Sequence, residues 1–354
     1  RINMIDGSEI DAGSGLIDLD ADGDITLAGL LTSTEVQVTT ANGAIVDGGD
    51  TDADITAASV ALRAASGVGT DSDSLETVSD VTTTSLVLSV LTDSGDVHVV
   101  NSGHLIVGTV DGLSGIEISD SASGGDDSGA DNVTLVSGSP LTVNNDVTNS
   151  DGGNITLTAT DSGAAGDDLT VATGVTITAA GGTGAITLSA GDNVALNGTA
   201  LVTAANSGAV TVTADASSVD AGGAITMADG SQVVSASGTL DLNATDNVTL
   251  GRLMTTGNVT IDTTSGEVLD GGDTHTEIEA DTATITASGG IGESTGSGAD
   301  AALETSLTTL NATTTAGSIQ IDETDAVTLT SITAADGSIT VDAGGAIGVT
   351  DAND

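Results

Sequence analysis

The sequence predicts an all-β chain wound as a parallel β-helix, a β-solenoid with coils of about 19–20 residues. Three observations carry this expectation. A short phrase, Ile or Val, any residue, then Leu, Val or Ile, recurs along the whole chain after Gly, Asp or Asn. The phrases return at alternating spacings of 8 and 11, so one cycle takes about 19–20 positions and carries at least two short strands. A far longer repeat overlies this one. The stretch 43–69 returns at 266–292 without a gap, a constant offset of 223 in numbering. A long repeat made of a finer one is the mark of a stacked, quasi-one-dimensional array.

In chain order, Ile17, Ile25 and Val36 set the first 8 and 11 spacing, and Leu240, Val248 and Val259 repeat it. The same spacing runs from Val97 to Leu105 to Ile116, and Ile319 to Val327 to Ile339 follows with 8 and 12. Within a phrase, Ile186 and Leu188 alternate with Thr187 and Ser189, the period of a strand with one buried face. Gly191, Asp192 and Asn193 then turn the chain, because these residues tolerate positive φ. Helices are disfavoured: the apolar period is 2, and Gly and Thr are abundant. The repeat makes residues 1–354 one continuous solenoid, with a first copy over about 8–230 and a partial second copy over 231–354. At ~20 residues per coil and ~4.8 Å per step, about 18 coils would give a rod of roughly 85 Å, shortened by protruding loops near 120–131 and 294–301. A downstream match with gaps pairs Leu75, Glu76 and Thr77 with Leu303, Glu304 and Thr305.

Composition excludes several functions. Phe, Trp, Tyr, Cys and Lys are absent, three Arg oppose 52 acidic residues, and the net charge is −49. No disulfide or cysteine metal site can form. No aromatic platform can stack sugars or bases, and the charge repels nucleic acid and anionic lipid. No apolar run approaches the ~20 residues of a membrane span, so no membrane insertion is expected. Acidic chains without aromatics are often disordered, but 38% hydrophobic residues at ordered spacings argue for a packed core here.

The phrases with Ile-Thr-Leu and Asp-Asn-Val-Thr-Leu, the coil length, and the passage Gly289, Gly290, Ile291, Gly292, then Leu303, Glu304, Thr305, Leu310 and 317–321 carry a family resemblance. The chain resembles the repeat regions of filamentous-haemagglutinin-type giant bacterial adhesins along nearly its whole length. The resemblance implies a right-handed β-helix, a secreted or cell-surface location, and a role as stalk, adhesin or fibre.

Acidic turns are the candidate sites. Asp47, Asp50, Asp52 and Asp54 crowd into one short stretch, and Asp270, Asp273, His275 and Glu277 are their counterparts, followed by Glu279 and Asp281. By period 2, Glu277, Glu279 and Asp281 would share a strand face. Clustered hard oxygen ligands suit Ca²⁺; the alternative is a solvated acidic corner. No other cofactor is expected. Carboxylates stacked one coil apart would repel by ~0.9 kcal/mol per pair in water, so divalent cations are also expected as diffuse partners. Asn132, Asn154, Asn197, Asn243, Asn247, Asn258 and Asn311 sit in N-x-T sequons. These arise wherever a turn Asn precedes an outward strand Thr. No lyase base, hydrolase pair or His-based triad can be singled out, so no enzyme is expected. A flat Thr face of the ice-binding kind is the remaining minor alternative. The expected function is a structural rod or filament that associates with itself head-to-tail or laterally; an adhesin binding module is the alternative.

Overall fold

The computed structural model describes residues 1–49, 52–79, 85–119, 130–215, 222–271, 275–292 and 302–350. Among these, every regular element is a β-strand and none is a helix. The two expected loops near 120–131 and 294–301 lie almost wholly outside the described residues. Thirty-six strands join one parallel sheet, and only the small hairpin of Thr109–Val110 with Leu113–Ser114 is antiparallel and separate. Strand Ile155–Ala159 shows the local rule: Ile155, Leu157 and Ala159 are buried, while Thr156 and Thr158 are partly exposed.

Each strand pairs with its equivalent one circuit further along the chain, and the pairs fall into three series, of which the third runs through Ile116, Val147, Ile177, Val202, Val233, Leu253, Ile278 and Thr305. In the first, Ile2, Ile25, Ile45, Val68, Val97, Val133, Ile155, Ile186, Val210, Leu240, Val259, Ala283, Leu310, Leu329 and Val349 stack in register. The second runs through Ile17, Val36, Val60, Leu88, Val107, Val143, Val171 and Leu196. Long strands such as Leu86–Asn101 pass from one series to another. All three series contribute to one contiguous core of Ile, Val, Leu and Ala with Met227. The large exposed hydrophobics lie at its two extremes: Ile5, Ile10 and Leu16, and Ile339, Ile347 and Val349.

Three sequence expectations need correction. The circuits are not of uniform length: Leu240 pairs with Val259, as the even spacing predicts, but Val97 pairs with Val133 after a circuit nearly twice as long. With circuits of this length, the first series has fifteen levels rather than about 18. At ~4.8 Å per step, its fourteen steps span ~67 Å. The long repeat is also out of phase with the winding. Ile25 belongs to the first series, whereas its counterpart Val248 belongs to the second. The long repeat unit is therefore eight circuits plus one step to the next series, because eight steps lead from Ile25 to Leu240 and Val248 stands on the following strand of the same circuit. Finally, acid rarely stacks on acid. Within the strand registers, only the run of Glu304, Asp322 and Asp342 does so. Elsewhere Asp18 meets Gln37, Asp241 meets Thr260, and Asp262 meets Asn243 and Thr286. Interleaved hydroxyls and amides separate the charges, so the ladder repulsion expected from the net charge is largely avoided.

Corners depend on close backbone approach. Gly153, Gly184, Gly208 and Gly238 stack on one another, and a Cβ on each of the last three would overlap the carbonyl oxygen of the one before. Inward hydroxyls seal the same corners: Ser235 donates to the Gly208 carbonyl at 2.7 Å and Thr255 to that of Gly238 at 2.7 Å. Turn Asx residues bind the next circuit. Asp96 Oδ1 accepts the Asn132 N–H at 2.7 Å, Asn132 Oδ1 the Asn154 N–H at 3.0 Å, and Asn154 Oδ1 the Ala185 N–H at 2.8 Å. Two of the sequon asparagines are thus engaged in joining circuits.

Substituting Gly184→Ala should lower urea stability by ~1–3 kcal/mol, the usual cost of forced overpacking. Gly103→Ala is the control, because its Cβ position is open; its stability should stay within about 0.5 kcal/mol of the parent. Equal midpoints for the two variants would refute the corner-contact argument.

Candidate metal centre

The site begins with a substitution inside the strand phrase. Strand Ile45–Asp47 pairs in register with Ile25–Leu27, so Asp47 occupies the inward position that Leu27 fills one circuit earlier. It is 4% exposed. The second copy does the same: Asp270 pairs with Leu250 and is 9% exposed. The next residue must be glycine. A Cβ on Gly48 would lie 2.9 Å from the Leu27 oxygen, and one on Gly271 2.7 Å from the Leu250 oxygen. Here the chain ends its strand. It is buried again at Asp54 and Glu277, each 1% exposed, just before strands Ile55–Ala57 and Ile278–Ala287.

A residue from the following circuit closes each group. Asp54 N–H donates to the Glu76 carbonyl at 3.0 Å, and Glu76 N–H donates to Asp54 Oδ2 at 2.9 Å. Glu277 N–H donates to the Glu304 carbonyl at 3.0 Å, and Glu304 N–H to Glu277 Oε2 at 2.7 Å. The scheme survives the change from Asp to Glu. Each triad, Asp47 with Asp54 and Glu76, and Asp270 with Glu277 and Glu304, brings three carboxylate oxygens within 4.8 Å of one another. Because the long repeat is out of phase with the winding, Asp47 lies on the first strand series and Asp270 on the second.

These carboxylates differ from the other buried acids. Asp192 Oδ2 accepts N–H groups of Gly166 and Asp167 at 2.5 and 3.0 Å. Asp167 is served by the Ser162 amide and hydroxyl, and Glu323 by the Thr305 hydroxyl and Leu307 amide. In the first triad, Asp47 Oδ2 takes the Gly49 N–H at 3.0 Å. Its Oδ1 is buried without a hydrogen-bond partner, as is Glu76 Oε2. The three arginines pair elsewhere, with Asp24, Asp111 and Glu279. Burial pushes the Asp54 carboxyl up to about 9, opposed by the Glu76 amide and reinforced by the neighbouring Asp47 and Glu76 carboxylates. Glu277 moves the same way, through burial first and then the Glu304 and Asp270 carboxylates.

Of the nine acids expected as ligands, Asp47, Asp54, Asp270 and Glu277 are gathered into the triads. Asp52 is exposed beside the first, and Asp50 and Asp273 lie outside the described residues. Glu279 and Asp281 are not in the second triad. They line an open cleft of about 510 Å³ with Asp325 and several hydroxyls, and Glu279 pairs with Arg252 at 2.9 Å. The shared face expected for Glu277, Glu279 and Asp281 is therefore incorrect. Glu277 and Ile278 are both buried, because the inward–outward alternation begins only at Ile278, after the chain has turned in from the loop. Glu76 and Glu304 were not anticipated as ligands. The signal was their alignment between the two repeats, together with an Asp in the leucine position of each phrase. Of the histidines, His104 sits between the Ser85 and Thr142 hydroxyls, at 2.7 and 3.1 Å, and burial lowers its pKa. His98 meets Asp71 at 3.0 Å.

The raised carboxyls fix the sign of a pH effect. Without a cation, the folded chain holds protons at Asp54 and Glu277 that the unfolded chain releases near its ordinary carboxyl value, 3.8 for Asp54. Their contribution is complete below that value and is lost as pH rises towards about 9. In EDTA, the melting temperature should fall between about pH 5 and about pH 9 more steeply for the parent than for an Asp54→Asn/Glu277→Gln variant. Parallel curves would show that neither carboxyl is raised.

No family model matches the chain, and neither the curated proteins nor the solved structures compared with it include a match.

Proposed function

We propose that the chain is a segment of a right-handed β-solenoid whose function is mechanical, as the stalk or fibre of a secreted or cell-surface protein. The observation that carries this reading is the continuous parallel strand pairing through fifteen levels, shifted only locally at Ser94–Val97 and Leu310–Asn311, around a single apolar core. Such a stack gives length and stiffness in proportion to the number of circuits, since each circuit interacts mainly with its neighbours. The outward rows support the reading: they are rich in Thr, Asp and Asn and have no aromatic residue on which a sugar or base could stack. The resemblance to filamentous-haemagglutinin-type repeats points the same way.

Growth of the fibre would use the exposed end circuits. Ile339, Ile347 and Val349 at one extreme, and Ile5, Ile10 and Leu16 at the other, are apolar side chains exposed among the described residues. A further circuit of the same kind would cover both. Head-to-tail contacts of this type do not close, and so they extend.

Electron cryomicroscopy of the purified protein tests the proposal. Unbranched filaments with an axial repeat of ~4.8 Å are expected. Monodisperse rods of ~67 Å at all concentrations would overturn self-assembly and favour the alternative, the stalk of an adhesin.

A further inference from the structure

We propose that each long repeat encodes one buried Ca²⁺ site, formed in the first copy by Asp47, Asp54 and Glu76 and in the second by Asp270, Glu277 and Glu304. The inference goes beyond the mechanical reading and does not depend on whether the rods assemble.

Acidic groups alone would not justify it, since most acids of this chain are solvated. The independent observation is Asp47. At 4% exposure it is more than nine-tenths buried, it occupies a leucine position in the core, and its Oδ1 meets no donor. Glu76 Oε2, on the adjacent circuit, is also buried without a donor. The buried acids at 167, 192 and 323 show that this fold supplies amides and hydroxyls to buried carboxylates elsewhere. In the first triad it leaves two buried oxygens without donors. A single shared proton could serve only one of them. A cation satisfies them together. Recurrence is the second argument: the arrangement returns in the second copy of the long repeat with the same inward Asp, the same following glycine and the same reciprocal hydrogen bonds.

The donor set selects the ion. All ligands are carboxylate oxygens, with no nitrogen or sulfur to favour zinc or copper. Ca²⁺ accepts irregular sets of carboxylates, whereas Mg²⁺ demands near-octahedral geometry and retains its waters. The ion would act at a defined point. One strand ends at Asp47 and the next begins at Ile55. A cation held by Asp47, Asp54 and Glu76 would join these two strand ends to the next circuit. The two sites lie on different strand series and share no residue, so they should fill independently.

Calorimetric titration of the EDTA-stripped full chain with Ca²⁺, in ~0.15 M NaCl to screen diffuse binding, tests this. About two tight ions per chain are expected, with a raised melting temperature and with Mg²⁺ at least about tenfold weaker. Asp54→Asn/Glu277→Gln keeps an oxygen to accept the Glu76 and Glu304 amides and supplies a donor to the neighbouring carboxylate. It should fold, melt no lower than the stripped parent, and lose both tight ions. Glu76→Gln alone should lose one, and Glu279→Gln none. Equal uptake by the parent and the double variant, or no tight uptake by the parent, would overturn the proposal whatever electron microscopy shows about filaments.

Discussion

Main-chain pairing between like circuits, at ~4.8 Å, is the constraint on which everything else in this molecule depends. Each residue has a neighbour directly above and below at that distance, so a side chain must tolerate what lies one circuit away. The core meets this demand with Val, Ile, Leu and Ala, whose stacked shapes fill a narrow interior. The corners meet it with glycine, since carbonyl groups of the adjacent circuit occupy the space of a Cβ at Gly184, Gly208 and Gly238. The outer rows meet it by interleaving. Asp18 on Gln37 and Asp241 on Thr260 place a neutral hydrogen-bonding group where a second carboxylate would repel. A chain of net charge −49 can therefore pack tightly without cancelling its charge with cationic side chains.

The two carboxylate triads depart from this economy. At Asp47 and Asp270 a core position carries an acid, and two more acids converge on it. Burying a charge without a partner is costly enough that it must be neutralised by a proton, a donor or a metal. Each triad lies between the end of one strand and the start of the next. The reciprocal bonds of Asp54 with Glu76, and of Glu277 with Glu304, combine a main-chain contact between circuits with an amide held by a carboxylate. They also extend the general habit of turn Asx residues, which accept an amide from the next circuit at Asp96, Asn132 and Asn154.

Much of this was legible in the sequence because strand periodicity is local. The alternation at Ile155, Leu157 and Ala159 and the glycines between phrases determined the strands, their inward faces and the all-β class. The long repeat identified Asp47 and Asp54 and their counterparts Asp270 and Glu277 as equivalent. It also aligned Glu76 with Glu304 without revealing what either meets. Which acids would converge was not legible. Asp47 and Glu76 are distant in the chain, and their meeting depends on how far the intervening loop and circuit carry it. The grouping of Glu277 with Glu279 and Asp281 fails for the same reason: period 2 applies within a strand, and Glu277 stands just outside one.

The sequence by itself determined the parallel-strand class, the composition of the core and the positions where only glycine or Asx would serve, because these follow from residues within a few positions of one another. Only the tertiary structure decided the register between circuits, and with it the one-strand offset that sets the two repeats on different strand series. Circuit length varies nearly twofold between the Leu240–Val259 and Val97–Val133 pairings. A residue's neighbour above is fixed by where the chain returns, a sum over loops that no local pattern records. The same summation places Glu76 against Asp54 and completes the carboxylate triad.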